Sequence, residues 1–434
     1  MNNTIKLAVA SALLAAASSA SAAGGIVAGD WTLDVGGVVN AYYTNTKVSG
    51  DSANDTGTRT ASNITTGLLP NYLAVSGKTR QNDLDVAFTI SINPGASTTH
   101  SGIQSAQQEN RQACLTFGDA SGGSVKLGKE LGIYASDAIL NDMTLLGVGH
   151  AAGALAGNTT TLGSIGAGYM YADWKSQVAY SSPNFNGFNF TAGVTQAWNA
   201  DNSTGRGGKE PAFEGKVSYA FAADAVTGKV WASGISQKLV NLNEVVGVTA
   251  VNSVAASGVA GTSSYTAATN SVAAVTAVPG TNVTATAWDL GGTISAAGFG
   301  LTGYYGEGKG TGMTVQFNGG VDSLGNKQDS KDWYTQATYT LPGVGTKLGA
   351  RYGESEIDQN DVSSASAGDG TQAGKVKREM WAFGVYHPIT KHLNLVAEYV
   401  EAKNTSSDTN ISSSVSNAES GKAKTMSLGA ILFF

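Results

Sequence analysis

The feature that most restricts this chain is a strict two-residue alternation. In residues 83–92, Leu84, Val86, Phe88, Ile90 and Ile92 are separated by Asp83, Asp85, Ala87, Thr89 and Ser91. Successive side chains of a β-strand point to opposite faces, so this segment carries one apolar face and one polar or small face. Its length suits a tilted strand crossing a bilayer, which takes about 9–11 residues. The pattern recurs. Trp31, Leu33, Val35, Gly37 and Val39 share a face opposite Asp34 and Asn40, and Phe213, Val217, Tyr219 and Phe221 oppose Glu214, Lys216 and Ser218. Near the end, Met426, Leu428, Ala430, Leu432 and Phe434 form a single apolar face. Chain ends are usually frayed and polar, so this aromatic terminus is expected to be buried against lipid or a neighbouring subunit.

Sixteen such segments can be read: 31–43, 71–79, 83–92, 111–118, 124–130, 174–181, 188–198, 212–221, 228–238, 285–297, 299–307, 332–341, 346–354, 378–387, 392–402 and 423–434. Their connections alternate. Short turns fall at 80–82, 119–123, 182–187, 222–227, near Gly298, and at 342–345 and 388–391; long loops run over 44–70, 93–110, 131–173, 199–211, 239–284, 308–331, 355–377 and 403–422. An even strand count with short turns at one end and long loops at the other is the layout of a transmembrane β-barrel. Hydrocarbon tolerates no open sheet edge, so the last strand is expected to pair with the first. The predicted fold is all-β, a sixteen-stranded antiparallel transmembrane barrel with long extracellular loops.

The N-terminus agrees with export. A short basic start with Lys6, an apolar run over 7–17 and the small residues Ala20, Ser21 and Ala22 have the form of a secretory signal peptide, predicted as residues 1–22, leaving 23–434 as the barrel. That apolar run is too short for a membrane-spanning helix. The single cysteine, Cys114, rules out an internal disulfide framework, so backbone pairing must hold the fold. A formal net charge of −6 over 434 residues argues against a nucleic-acid partner.

Four local motifs add a family resemblance. Arg111, Ala113, Phe117 and Gly118, followed by Leu127, Gly128 and Lys129, form a hairpin similar to one in the general-diffusion porins of Gram-negative outer membranes. Tyr180, Ser182, Pro183, Phe185, Gly187 and Phe188 resemble a turn of that family, residues 386–391 its penultimate turn, and Phe434 its closing aromatic. The resemblance extends over residues 31–434. It implies a homotrimer in outer-membrane lipid and lipopolysaccharide, with the third long loop folded inward as a constriction. It further implies passive diffusion of small hydrophilic solutes, no enzymatic activity and no cofactor.

In that family the constriction sets loop carboxylates against basic residues on the opposite wall, and opposed charges across a narrow gap orient dipolar solutes. Here the resemblance makes Asp137 and Asp142 the loop carboxylates and Arg111 a wall base. Lys126 is expected to face the lumen because Val125 and Leu127 face out. Tyr72 and Asp173 stand where the family often has arginines, and the loop tip reads Leu145, Leu146, Gly147, Val148, Gly149, His150 instead of the family's Pro-Glu-Phe-Gly-Gly. A less basic wall predicts weak selectivity leaning to cations. Arg111 and Lys126 read equally well as ordinary solvated charges.

Polar residues at Asp34, Asn40, Asp83, Asp85, Glu214, Lys216, Lys347 and Arg351 are expected to face a water-filled interior. A substrate-selective channel for sugars or anions is the alternative, with Tyr72, Tyr134 and Tyr169 as a stacking track. An outer-membrane hydrolase ranks third, since no histidine sits on a strand beside suitable partners. His100, His150, His387 and His392 make a poor metal set. Asp322, Asp329 and Asp332 in the sixth long loop suggest at most a divalent ion shared with lipopolysaccharide, and isolated surface carboxylates are the plainer reading. The glycine run 163–168 lacks the strand and helix of a phosphate loop. Loops of this length suit adhesion or phage reception as well.

Overall fold

The computed structural model describes residues 25–50, 60–97, 108–150, 160–200, 210–242, 280–322, 324–360, 374–409 and 416–434. The signal segment 1–22, His100 and most of the loop 239–284 lie outside the described residues. Sixteen long strands form the wall: β1 (Trp31–Gly50), β2 (Tyr72–Gln81), β3 (Leu84–Pro94), β4 (Ala113–Asp119), β5 (Gly123–Leu131), β6 (Trp174–Ser181), β7 (Phe188–Thr195) and β8 (Ala212–Ala223). They continue as β9 (Val226–Leu242), β10 (Thr281–Ala296), β11 (Phe299–Lys309), β12 (Asp329–Thr340), β13 (Lys347–Gln359), β14 (Gly374–Pro388), β15 (Leu393–Thr409) and β16 (Ser416–Phe433). Each pairs antiparallel with its neighbours in sequence.

Closure occurs as expected. β16 pairs with β1 from Gly421 opposite Gly50 to Phe433 opposite Val38. Gly37 and Phe434 then exchange backbone hydrogen bonds of 2.9 and 3.1 Å. No sheet edge remains in the wall. The terminal alternation survives in three dimensions: Met426, Leu428, Leu432 and Phe434 are exposed outward, whereas Thr425, Ser427, Ile431 and Phe433 are buried inward. Outside, Val35, Val39, Phe213, Val217, Leu301 and Phe383 belong to the same exposed apolar belt, as lipid contact requires.

Strand ends depart from the sequence reading at the loop side. β1 runs to Gly50 where alternation was expected to end at 43, and β15 and β16 take up most of the eighth loop. Ladder pairing needs only backbone groups, so strands continue above the lipid belt where Thr44, Asn45, Thr46 and Lys47 carry no apolar rhythm. The first loop likewise returns as a short strand, Thr60–Thr65, against Tyr42–Lys47.

Not every polar residue expected in the lumen is there. Asp83 sits in the turn after β2 with φ 61°, and Asp85 pairs with Arg80 at 2.8 Å near the same rim. Asp332 is no loop residue; it lies on β12, facing inward at 3% exposure. Asp329 pairs with Lys309 at the strand end.

The candidate pore constriction

The third long loop leaves β5 and returns to β6 through the barrel interior, in the inward fold that the resemblance implied. It carries one helical turn, α1 (Ser136–Leu140), and a 3-10 turn at Met143–Leu146. Asp142 caps the latter by accepting from Thr144 N at 3.0 Å. So short a helix has little stability of its own. The wall must hold the loop.

It does so at two wall glutamates. Glu214 on β8 accepts from the successive amides of Ile133 and Tyr134, each at 2.9 Å. Glu398 on β15 accepts from Val148 at 2.7 Å and Gly149 at 3.0 Å, and from Tyr386 Oη at 2.7 Å. Between these anchors Ser233 accepts from Ala135 N, Tyr334 donates to Ala138 O, and the Gln336 amide accepts from Met143 N and donates to Asn141 O. Gly147 is required by close approach, since a Cβ there would overlap the Glu398 carboxylate. Tyr42 on β1 donates to Leu146 O at 2.8 Å. The loop is thus a strap laid along β8 to β15.

The sixth long loop also folds inward, which sequence reading missed. Tyr171 N donates to Thr314 O, and Gln316 donates to the carbonyls of Tyr171 and Ala172. Phe317 packs at 0% exposure with Tyr134, Met170, Leu239 and Leu242. The apolar residues of this cluster pack against β9 and β10. The open space is displaced toward β1–β8.

Two cavities lie in that space among the described residues. The inner one, about 480 Å³, is lined among others by Asp34, Ser76, Lys126, Glu130 and Lys216. The outer one, about 590 Å³, is lined by Glu109, Arg111, Lys129, Asp173 and apolar residues that include Leu68, Leu69 and Leu162. Tyr72, Gln112, Leu131 and Leu140 line both.

The four residues expected at the constriction therefore divide. Arg111 lines the outer cavity, with Glu109 at 2.9 Å. Lys126 lines the inner cavity, 3.7 Å from Glu130. Asp137 and Asp142 do not face open space, which corrects the expectation for the loop carboxylates. Asp137, 1% exposed at its side chain, is paired with Lys229 on β9 and with Lys216 on β8 at 3.0 Å. Asp142 is fully buried 3.4 Å from Arg351 on β13 and accepts from Tyr169 Oη at 2.7 Å. A charge without water nearby needs a partner, and in both cases the wall supplies it. Tyr134 and Tyr169, candidates for a stacking track, are buried at 2% and 0%.

Burial raises the Asp137 carboxyl, but the Lys216 and Lys229 ammonium groups together hold it below the usual carboxylate range. Burial pushes the Asp173 carboxyl up. His150, whose Nε2 donates to Ile165 O at 2.9 Å, is driven down to about 4 by burial and by the nearby Arg378 charge. His387 lies in the last residues of β14 and His392 in the turn that follows, and no metal-binding cluster of histidine, cysteine and carboxylate occurs among the described residues.

The family model of the Gram-negative porins matches residues 8–407. Among solved structures, the outer membrane channel DcaP of Acinetobacter baumannii superposes with a TM-score of 0.59 at 14% identity, covering 94% of this chain and 99% of that one. The anion-selective porin from Comamonas acidovorans gives 0.56 at 15% identity, covering 93% and 100%. In-vitro folded OmpT of Vibrio cholerae gives 0.52 at 15% identity, covering 95% and 100%. No curated protein matches the sequence. This chain belongs to the Gram-negative porins of the bacterial outer membrane.

Proposed function

We propose that solutes cross this passive outer-membrane diffusion channel through an eccentric passage between the loop strap and β1–β8, narrowest where Tyr72, Gln112, Leu131 and Leu140 line both cavities. That shared lining carries the reading. Each cavity balances its charges. The inner has Asp34 and Glu130 against Lys126 and Lys216, and the outer has Glu109 and Asp173 against Arg111 and Lys129. Balanced walls produce weak ion selectivity. Arg111 and Lys126 act as vestibule charges, while Asp137 and Asp142 position the strap.

The active form is a homotrimer in lipid and lipopolysaccharide, matured by removal of residues 1–22, with no catalytic role. Reconstitution in a planar bilayer tests this: conductance should appear in steps of three with a reversal potential near zero in a salt gradient. Lys126→Gln should move that potential toward cation preference. No conductance, or an unchanged potential in the variant, would remove the passage from this face.

A second reading, selection of solutes with an apolar body, is favoured by Leu69, Leu131, Leu140, Leu162 and Trp174 around Arg111 in the outer cavity. Current blockage by an aromatic carboxylate but not by a sugar of equal size would support it.

A further inference from the structure

The bore of a diffusion channel is polar, and the inner cavity obeys that rule with Ser76, Thr89, Gln177 and Thr191 on its wall. The outer cavity does not. Leu69, Leu140, Leu162 and Tyr171, each half-buried, pack against the apolar core of the strap on one side and line the cavity on the other. Its volume, about 590 Å³, falls within the range of roughly 300–1,000 Å³ of small-ligand sites.

The same cavity carries charges of both signs, and they are not all spent on one another. Glu109 and Arg111 form an ion pair at 2.9 Å. Lys129 and Asp173 form none among the described residues. Lys129 Nζ donates to the backbone carbonyl of Asn110 at 2.7 Å. Asp173 accepts the Trp174 amide on Oδ1 at 2.6 Å, and its Oδ2 has no hydrogen-bond partner among the described residues. Arg111 and Lys129 both stand near enough to act electrostatically on the Asp173 carboxylate. Lys175, the other cation that does so, is committed to Glu214 at 2.6 Å. The Asp173 backbone is itself tied down, since its carbonyl accepts from Gly132 N at 2.7 Å. The carboxylate is therefore a pre-organised acceptor.

A cation and an anion left unpaired on the wall of one partly apolar cavity match a molecule with both charges at one end and hydrocarbon at the other. We propose that the outer cavity is a selectivity site for zwitterionic α-amino acids with apolar side chains. Asp173 accepts from the ammonium group, Lys129 and Arg111 donate to the carboxylate, and the side chain lies against Leu69, Leu140 and Leu162. The site deepens the selection of apolar-bodied solutes proposed above and rests on it; the addition is discrimination for the amine. A simple carboxylate meets the repulsion of Asp173, and a simple amine that of Lys129 and Arg111, so each singly charged relative is disfavoured. A sugar leaves both wall charges unpaired.

The test uses the purified protein in planar bilayers at neutral pH and reads block of the ion current by four probes. These are leucine, isocaproate, which lacks the amine, leucinamide, which lacks the carboxylate, and glycine, which lacks the side chain. Leucine should block saturably, isocaproate and leucinamide should each need at least about tenfold more for half-block, and glycine should not block. Asp173→Asn, which keeps an oxygen for the Trp174 amide, should abolish the preference for leucine over isocaproate. Leu162→Ala should weaken both alike. If circular dichroism shows Asp173→Asn to be unfolded, Lys129→Gln replaces it and should weaken leucine but not leucinamide. Equal half-block by leucine and isocaproate in the parent, or an unchanged ratio in folded Asp173→Asn, would overturn the amino-acid site. Block by isocaproate would then leave the apolar-bodied selection standing, whereas no block by any of the four probes would remove both.

Discussion

The Arg351 guanidinium lies 3.4 Å from the Asp142 carboxylate, and both side chains are completely shielded from solvent. Loop carboxylate and wall base are thus joined behind the strap, not set apart across the channel. The guanidinium also donates to Ala167 O at 3.1 Å and stands over the Tyr334 ring, 4.5 Å from its centre. One ion pair therefore clamps both the outgoing and the returning halves of the strap to β13.

Removing one member of a buried pair leaves the other charge uncompensated, at a cost of about 3–5 kcal/mol. Asp142→Asn should accordingly lower the unfolding temperature and make the open-channel current noisier, while the reversal potential stays nearly constant because Asp142 lines neither cavity. Asp142→Asn combined with Arg351→Met should recover part of the loss. Thermal unfolding by circular dichroism and single-channel recording measure both. A selectivity change in Asp142→Asn as large as that in Lys126→Gln would contradict the assignment.

Glu398 anchors the strap tip through Val148 and Gly149. Hydrogen bonds to a charged group are worth about 1.5–3 kcal/mol each, so Glu398→Gln should accelerate hydrogen exchange of these two amides and leave those held by Glu214 protected. Gly147→Ala should act in the same direction by displacing the carboxylate. Exchange followed by mass spectrometry gives the answer.

His150 sets an acid limit on strap docking. Its folded-state value, about 4, lies below the ordinary 6.5, so the unfolded chain takes up the proton first as pH falls. Stability contributed by the neutral ring is full above pH 6.5, declines between about 6.5 and 4, and amounts to about 3 kcal/mol. His150→Asn should flatten the unfolding temperature over that window. Asp137, held low by its two lysines, loses its contribution only at more acid pH, so the two effects separate.

Tyr72 lines both cavities, at the junction proposed as the narrowest point of the passage. Tyr72→Ala should raise single-channel conductance and admit larger neutral solutes without changing the sign of selectivity. Liposome swelling with sugars of graded size would show an unchanged cutoff if the junction lies elsewhere.

The barrel was legible because lipid outside and water inside impose opposite chemistries on alternate residues. Leu428 and Ser427, or Phe213 and Glu214, announce their faces in the sequence itself. Lys126 was readable as an inward group by the same rule, whereas Arg111 was placed on the wall by the family resemblance. Glu398 was not singled out, although its place between Ala397 and Tyr399 marks it as inward; period two says that a residue faces the interior, not whether it meets water or another segment.

Alternation, strand count and closure are thus properties of the sequence alone, since each depends only on which solvent a side chain must face. The direction of the loop carboxylates, the inward turn of the sixth loop and the eccentric passage were decided by tertiary structure. Asp137 and Asp142 meet Lys216, Lys229 and Arg351 from strands about 80 to 210 residues away, and only the closed wall brings those charges together.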